Sequence, residues 1–128
     1  MAKKFSILTN PTFVASVDLP CPGMDAVSVD FTFKVKDRVE VADFRDKASA
    51  FFTDALAKSE DEKWLNAKWQ KEITDYEFSQ LKEIVSGWDF DEEFNDANLM
   101  AFVRSNKERA AAVVSKYLSS VEKAREGN

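Results

Sequence analysis

Between Asp25 and Lys36 the chain reads DAVSVDFTFKVK, with Val27, Val29, Phe31, Phe33 and Val35 at every second position. A period of two puts all five side chains on one face of an extended strand, and β-branched and aromatic residues suit that surface. A helix would scatter them around its circumference. The segment therefore reads as a half-buried strand, and a strand needs a neighbour. Thr12–Leu19, TFVASVDL, alternates in the same way at Phe13, Ala15 and Val17. Pro20-Cys21-Pro22-Gly23 lies between the two and has turn chemistry. An antiparallel β-hairpin over residues 1–36 is expected.

At Asp37 the period changes. Val41, Phe44, Ala48, Phe51 and Ala55 recur at spacings of three and four, the signature of one helix face. Asp37 with Glu40 forms its capping box. A short second helix is predicted over Glu60–Gln70, carrying Trp64, Leu65 and Trp69. Thr74-Asp75-Tyr76-Glu77 matches another capping box, with Ile73 and Phe78 at staple spacing, and Gly87 is expected to end that third helix. Asn95 suits the cap of a fourth, with Leu99, Phe102 and Val103 on its apolar face. Ser105-Asn106-Lys107-Glu108 opens a fifth, with Ala110, Val113, Val114, Tyr117, Leu118 and Val121 in register. The expected fold class is α+β: an N-terminal antiparallel β-hairpin followed by about five helices, packed as one mostly helical domain over 1–128. Its hairpin region is 1–36 and its helical region 37–128.

A chain of 128 residues with 45% apolar residues can bury roughly two thirds of its surface, so it needs no disulfide or metal to fold. One cysteine, Cys21, allows no internal disulfide and fits a reducing compartment. MAKKFSILTN has no long apolar stretch behind its lysines, and no window approaches a membrane span. The formal net charge is −5, and the acidic excess falls between residues 60 and 96. No basic footprint for nucleic acid is present. Such asymmetry suits a solvated face, or orientation of a protein partner or a second copy of the chain.

The acidic excess peaks in Ile84–Phe94, IVSGWDFDEEF, where Asp89, Asp91, Glu92 and Glu93 are interleaved with Trp88, Phe90 and Phe94. Asp89 and Asp91 begin like a calcium-binding EF-hand loop. Phe94 stands where that loop needs glycine, and Met100 where it needs glutamate, which excludes it. Helix punctuation accounts for the stretch: acids face water near the next helix start, and aromatics fold back onto the flanking helices. Trp88 is expected to be largely buried there.

Catalytic machinery is missing from the composition. There is no histidine, which removes the commonest general base and metal ligand, and three glycines cannot build a phosphate-binding loop. Catalytic, cofactor-binding and metal-binding residues are all expected to be none; a carboxylate-only enzyme is the rival reading. The surface candidates are aromatic and acidic. Trp64 and Trp69 would point roughly 140° apart on a helix, so one of them is expected to be partly exposed. Trp64, Trp69, Glu92 and Glu93 are the expected partner-binding residues.

Leu81–Asn128 resembles the C-terminal half of tail assembly chaperones of long-tailed bacteriophages and prophages. The matching frame is Val85-Ser86-Gly87-Trp88-Asp89, then Phe94, Asn98-Leu99, Tyr117-Leu118 and Ala124-Arg125 with Asn128. Glu93 and the Ser105-Asn106 pair stand where such proteins often carry proline. The resemblance implies a non-enzymatic protein of the host bacterial cytoplasm. It would bind the tape-measure protein and help recruit the tail-tube protein, with no nucleic-acid, membrane or cofactor partner and with a homo-oligomer left open. In many phages of this kind a frameshift near the end of the gene makes a longer form, and Glu126-Gly127-Asn128 can be encoded by a slippery run. The alternative is a structural tail or head-completion component retained in the virion.

Overall fold

The computed structural model describes residues 7, 11–61 and 66–125. Strand β1 (Thr12–Cys21) and strand β2 (Met24–Lys34) form the expected hairpin, antiparallel from Thr12↔Lys34 to Cys21↔Met24. Two residues, Pro22 and Gly23, make the turn. Gly23 has φ +74°, a conformation that costs other residues a Cβ clash, and Pro22 supplies the fixed φ before it. Alternation sorts the side chains. Val17, Leu19, Val29, Phe31 and Phe33 are buried, whereas Val14, Ser16, Asp18 and Asp30 face water. Val27 and Val35, expected on the inner face, lie at the ends of the alternating run and are exposed.

Helix α1 (Arg38–Asp61) starts at the expected cap. Asp37 Oδ1 accepts from the Val39 and Glu40 amides at 2.9 and 2.8 Å, and Glu40 Oε1 accepts from the Asp37 amide at 3.0 Å. Its inner face is the expected one: Val41, Phe44 and Ala55 are buried, and Phe51 stacks on Tyr76 with ring centroids 4.1 Å apart. Phe52 and Leu56 remain exposed.

Helix α2 (Asn66–Ile84) corrects two expectations. Thr74 begins no helix. Residues 66–73 contain no breaker and continue the helix through it, so its hydroxyl turns back to donate to the Lys71 carbonyl at 3.1 Å. The separate helix expected over Glu60–Gln70 does not stand as such: its ends belong to α1 and α2, and residues 62–65 between them, Trp64 included, lie outside the described residues. The described residues thus hold four helices, not about five.

The second correction concerns Gly87. The helix ends at Ile84 without it, and Val85–Trp88 forms strand β3, which pairs antiparallel with β2 to give the sheet order β1-β2-β3. Phe31 opposes Trp88, Thr32 opposes Gly87, and Phe33 opposes Val85, with an irregularity between Thr32 and Phe33. Helix α3 (Asp96–Ser105) is capped by Asn95, whose side chain accepts from the Asn98 amide at 2.9 Å. Helix α4 (Lys107–Arg125) is capped by Asn106, one residue later than expected, and Asn106 Oδ1 accepts from the Glu108 amide at 2.9 Å. Ser105 instead donates to the Phe102 carbonyl at 2.6 Å.

One apolar cluster joins the inner sheet face to Phe44, Leu81, Ile84, Leu99, Phe102, Val103, Ala110, Val113 and Tyr117. Tyr117 is enclosed, with Phe33 and Phe13 rings 5.4 and 5.9 Å away, and its hydroxyl donates to the Lys34 carbonyl at 2.9 Å. Burial, reinforced by the charges of Glu40 and Glu83, pushes its phenol up to about 12. Glu77 lies one turn before Leu81 on α2, and burial pushes its carboxyl up to about 7 from an ordinary 4.5.

Two predictions follow from this backbone and this charge. A Cβ at Gly87 would lie 3.8 Å from Thr32 Cβ, an ordinary contact, and Gly87 has no positive φ. Gly87→Ala is therefore expected to leave stability within about 0.5 kcal/mol, whereas Gly23→Ala costs about 1–2 kcal/mol because of its φ. Equal losses in chemical denaturation would contradict this contrast between the two backbones. Because the folded protein holds the Glu77 proton more tightly than the unfolded chain, this group's contribution is full below pH 4.5 and is lost as pH rises through 7. Glu77→Gln should then stabilise at pH 8 and have little effect at pH 4. A gain independent of pH would contradict the assignment.

Candidate functional site

β3 builds the site because it carries Trp88 onto the inner face opposite Phe31. The Asp89 amide extends that ladder by one bond, donating to the Asp30 carbonyl at 3.0 Å. The chain then leaves the sheet and returns to α3 through residues 90–95. Phe90, Phe94 and Phe102 gather on Trp88, with centroids 5.0, 5.1 and 5.6 Å from its ring, the first two edge-on. Edge-to-face contact sets the positive rim of one ring against the negative face of another.

The acids take the outside. Asp89, Asp91, Glu92 and Glu93 are all exposed, whereas Trp88, Phe90 and Phe94 are half-buried. Trp88 thus packs where it was expected but is not enclosed: it floors an open cleft. Trp88 Nε1 donates to the Glu92 carbonyl at 2.8 Å, and Asn98 Nδ2 donates to the Glu93 carbonyl at 2.8 Å. Main-chain groups carry these bonds, and of the four carboxylates that of Glu93 alone accepts one among the described residues, from Asn95 Nδ2 at 3.4 Å.

Beside it lies a cavity of about 180 Å³ lined by Trp88, Phe90, Glu92, Asn98, Ala101, Phe102, Ser105 and Arg109. Arg109 comes from the first turn of α4. Its guanidinium carbon sits 5.6 Å above the Phe102 ring, within cation–π range. Nη1 donates to Ser105 Oγ at 3.3 Å and Nη2 to Cys21 Sγ at 3.5 Å. Arg109 Nε is buried and has no acceptor among the described residues.

The expected partner-binding residues are not brought together as a set. Glu92 lines the cleft and Glu93 lies next to it in the same loop. Trp69 is half-buried near the start of α2 and is not part of the cleft lining, and Trp64 lies outside the described residues. Phe90, Asn98, Ala101, Phe102, Ser105 and Arg109 were missed as site residues. Phe102 was legible as an inward residue, but Arg109 has no sequence signal, because only the packing of α4 against α3 and the hairpin turn brings it here. Among the described residues no three Cys, Asp or Glu side chains are grouped to hold a metal ion.

The cleft thus combines an aromatic floor with an exposed acidic rim. The model of the phage tail assembly chaperone family matches residues 1–128, and the chain belongs to that family. No curated protein and no solved structure matches it. No described helix is long and apolar enough to cross a membrane.

Removing Trp88 tests the cluster. A buried tryptophan truncated to alanine costs about 3–5 kcal/mol, and half-burial lowers this to about 2–3. An unchanged melting temperature for Trp88→Ala would show that the four rings do not hold this corner together.

Proposed function

We propose that this chain is a non-enzymatic chaperone of the host cytoplasm, acting as one domain, that binds the tape-measure protein and aids assembly of the tail tube. Family membership over the whole length carries the reading. The cleft supports it: three rings give an apolar contact, and four exposed acids beside them give the partner a direction of approach. Glu92 and Glu93 are the acids assigned to that rim. Trp69, and Trp64 outside the described residues, are the other residues assigned to the partner contact. Helical partners present an apolar stripe, which an apolar groove can take.

Co-expression with the tape-measure protein of the same phage tests this. The expected result is a soluble complex, and absence of the chaperone from purified particles by mass spectrometry. A tape-measure protein equally insoluble with and without the chain overturns the reading, and retention in the virion favours a structural tail or head-completion component. Reversing Glu92 and Glu93 to lysine should slow association, most at low salt where screening is weakest. A rate and salt dependence equal to the native chain's would place the rim elsewhere.

A further inference from the structure

The one cation in the cleft wall is already engaged. Two guanidinium nitrogens of Arg109 point to Ser105 and Cys21, and its flat face lies on Phe102. Its third donor, Nε, is buried away from solvent and out of reach of anything entering the cleft. Arg109 is therefore held by the protein itself, and the floor beside it is apolar.

The cavity's size and charge narrow the occupant. About 180 Å³ falls below the volume of a typical small-molecule site. It is close to a cavity of about 150 Å³ that holds one benzene ring, so it has room for one large side chain. Glu92 stands in its wall, with Asp89, Asp91 and Glu93 exposed along the same loop. A free carboxylate would be repelled at that rim. A neutral apolar side chain would not be, and cationic neighbours would be attracted.

We propose that this cleft anchors a basic partner segment, taking one large apolar side chain against Trp88, Phe90 and Phe102. The lysines or arginines flanking that side chain lie over Glu92 and its neighbours. This deepens the chaperone reading and rests on it, since it names the feature by which a client is recognised.

The probes are three capped pentapeptides: a central phenylalanine between paired lysines, the same with alanine at the centre, and the same with glutamates for lysines. They are titrated into the isotope-labelled full chain and followed by NMR at the Trp88 Nε1 and Ala101 amide protons. The lysine–phenylalanine peptide should shift both resonances, with millimolar affinity, and the other two should bind at least tenfold more weakly. Ala101→Trp blocks the mouth from an exposed helical position, so the chain should stay folded while these shifts are lost. Equal binding of the acidic peptide, shifts centred elsewhere, no shift at all, or full binding to a folded Ala101→Trp chain overturns the proposal. If the native chain and Ala101→Trp capture the tape-measure protein equally, the cleft fails and the chaperone reading stands. If the native chain captures none of it while the peptide still occupies the cleft, the chaperone reading fails and the pocket chemistry survives.

Discussion

The pairing of Val85–Trp88 with β2 holds the rest of the molecule in place. β3 follows α2 with no intervening loop, Ile84 being the last helical residue and Val85 the first of the strand. The axis of α2 is therefore tied directly to the sheet. Three buried side chains, Leu81, Ile84 and Val85, enter the core within five residues, two from the helix and one from the strand. The same strand sends Trp88 over Phe31, and from there the chain must cross to α3. Four residues make little hydrogen bonding by themselves. Fully buried Phe33 opposite Val85, and Phe31 opposite Trp88, make that register the only one that keeps the apolar side chains inside.

What could be read without coordinates was local. The hairpin, the inner face of α1 and the Asn95 cap each depend on a period or a spacing of a few residues, and each is found. The Thr74 box failed because its pattern means a helix start only where no helix is already running. Residues 66–73 are good helix formers, and the turn before Thr74 was already satisfied. Gly87 failed for a related reason. Glycine ends helices and also tolerates close strand neighbours, and a four-residue strand is too short to show a period.

The site divides in the same way. That the acids of residues 89–93 face water and the rings face inward was legible, since four charges cannot be buried unpaired. That the rings would leave an open cleft rather than a closed core was not. It depends on how far α3 stands from the loop, and on Arg109 entering from α4 after a cap that sits one residue later than the Ser105 pattern suggests. A charged residue in the first turn of a helix reads as surface. Here it reaches Cys21 at the far end of the hairpin, a contact between positions 88 residues apart that no local pattern contains.

The manner in which the acidic loop is fastened matters for what its charge can do. The bonds that hold it use the main-chain carbonyls of Glu92 and Glu93 and the amide of Asp89. The carboxylates of Asp89, Asp91 and Glu92 take no hydrogen bond or ion pair among the described residues. In a loop anchored by its carboxylates, charge and fold would be coupled, and neutralising an acid would unfasten the backbone. Here the two are separate. Neutral amides at these positions would keep the Trp88 and Asn98 bonds and the ring contacts, and would relieve like-charge repulsion. The charge therefore contributes little to folding. Its remaining physical effect is on whatever approaches from solution, over a range of about one Debye length, ~8–10 Å at ordinary salt.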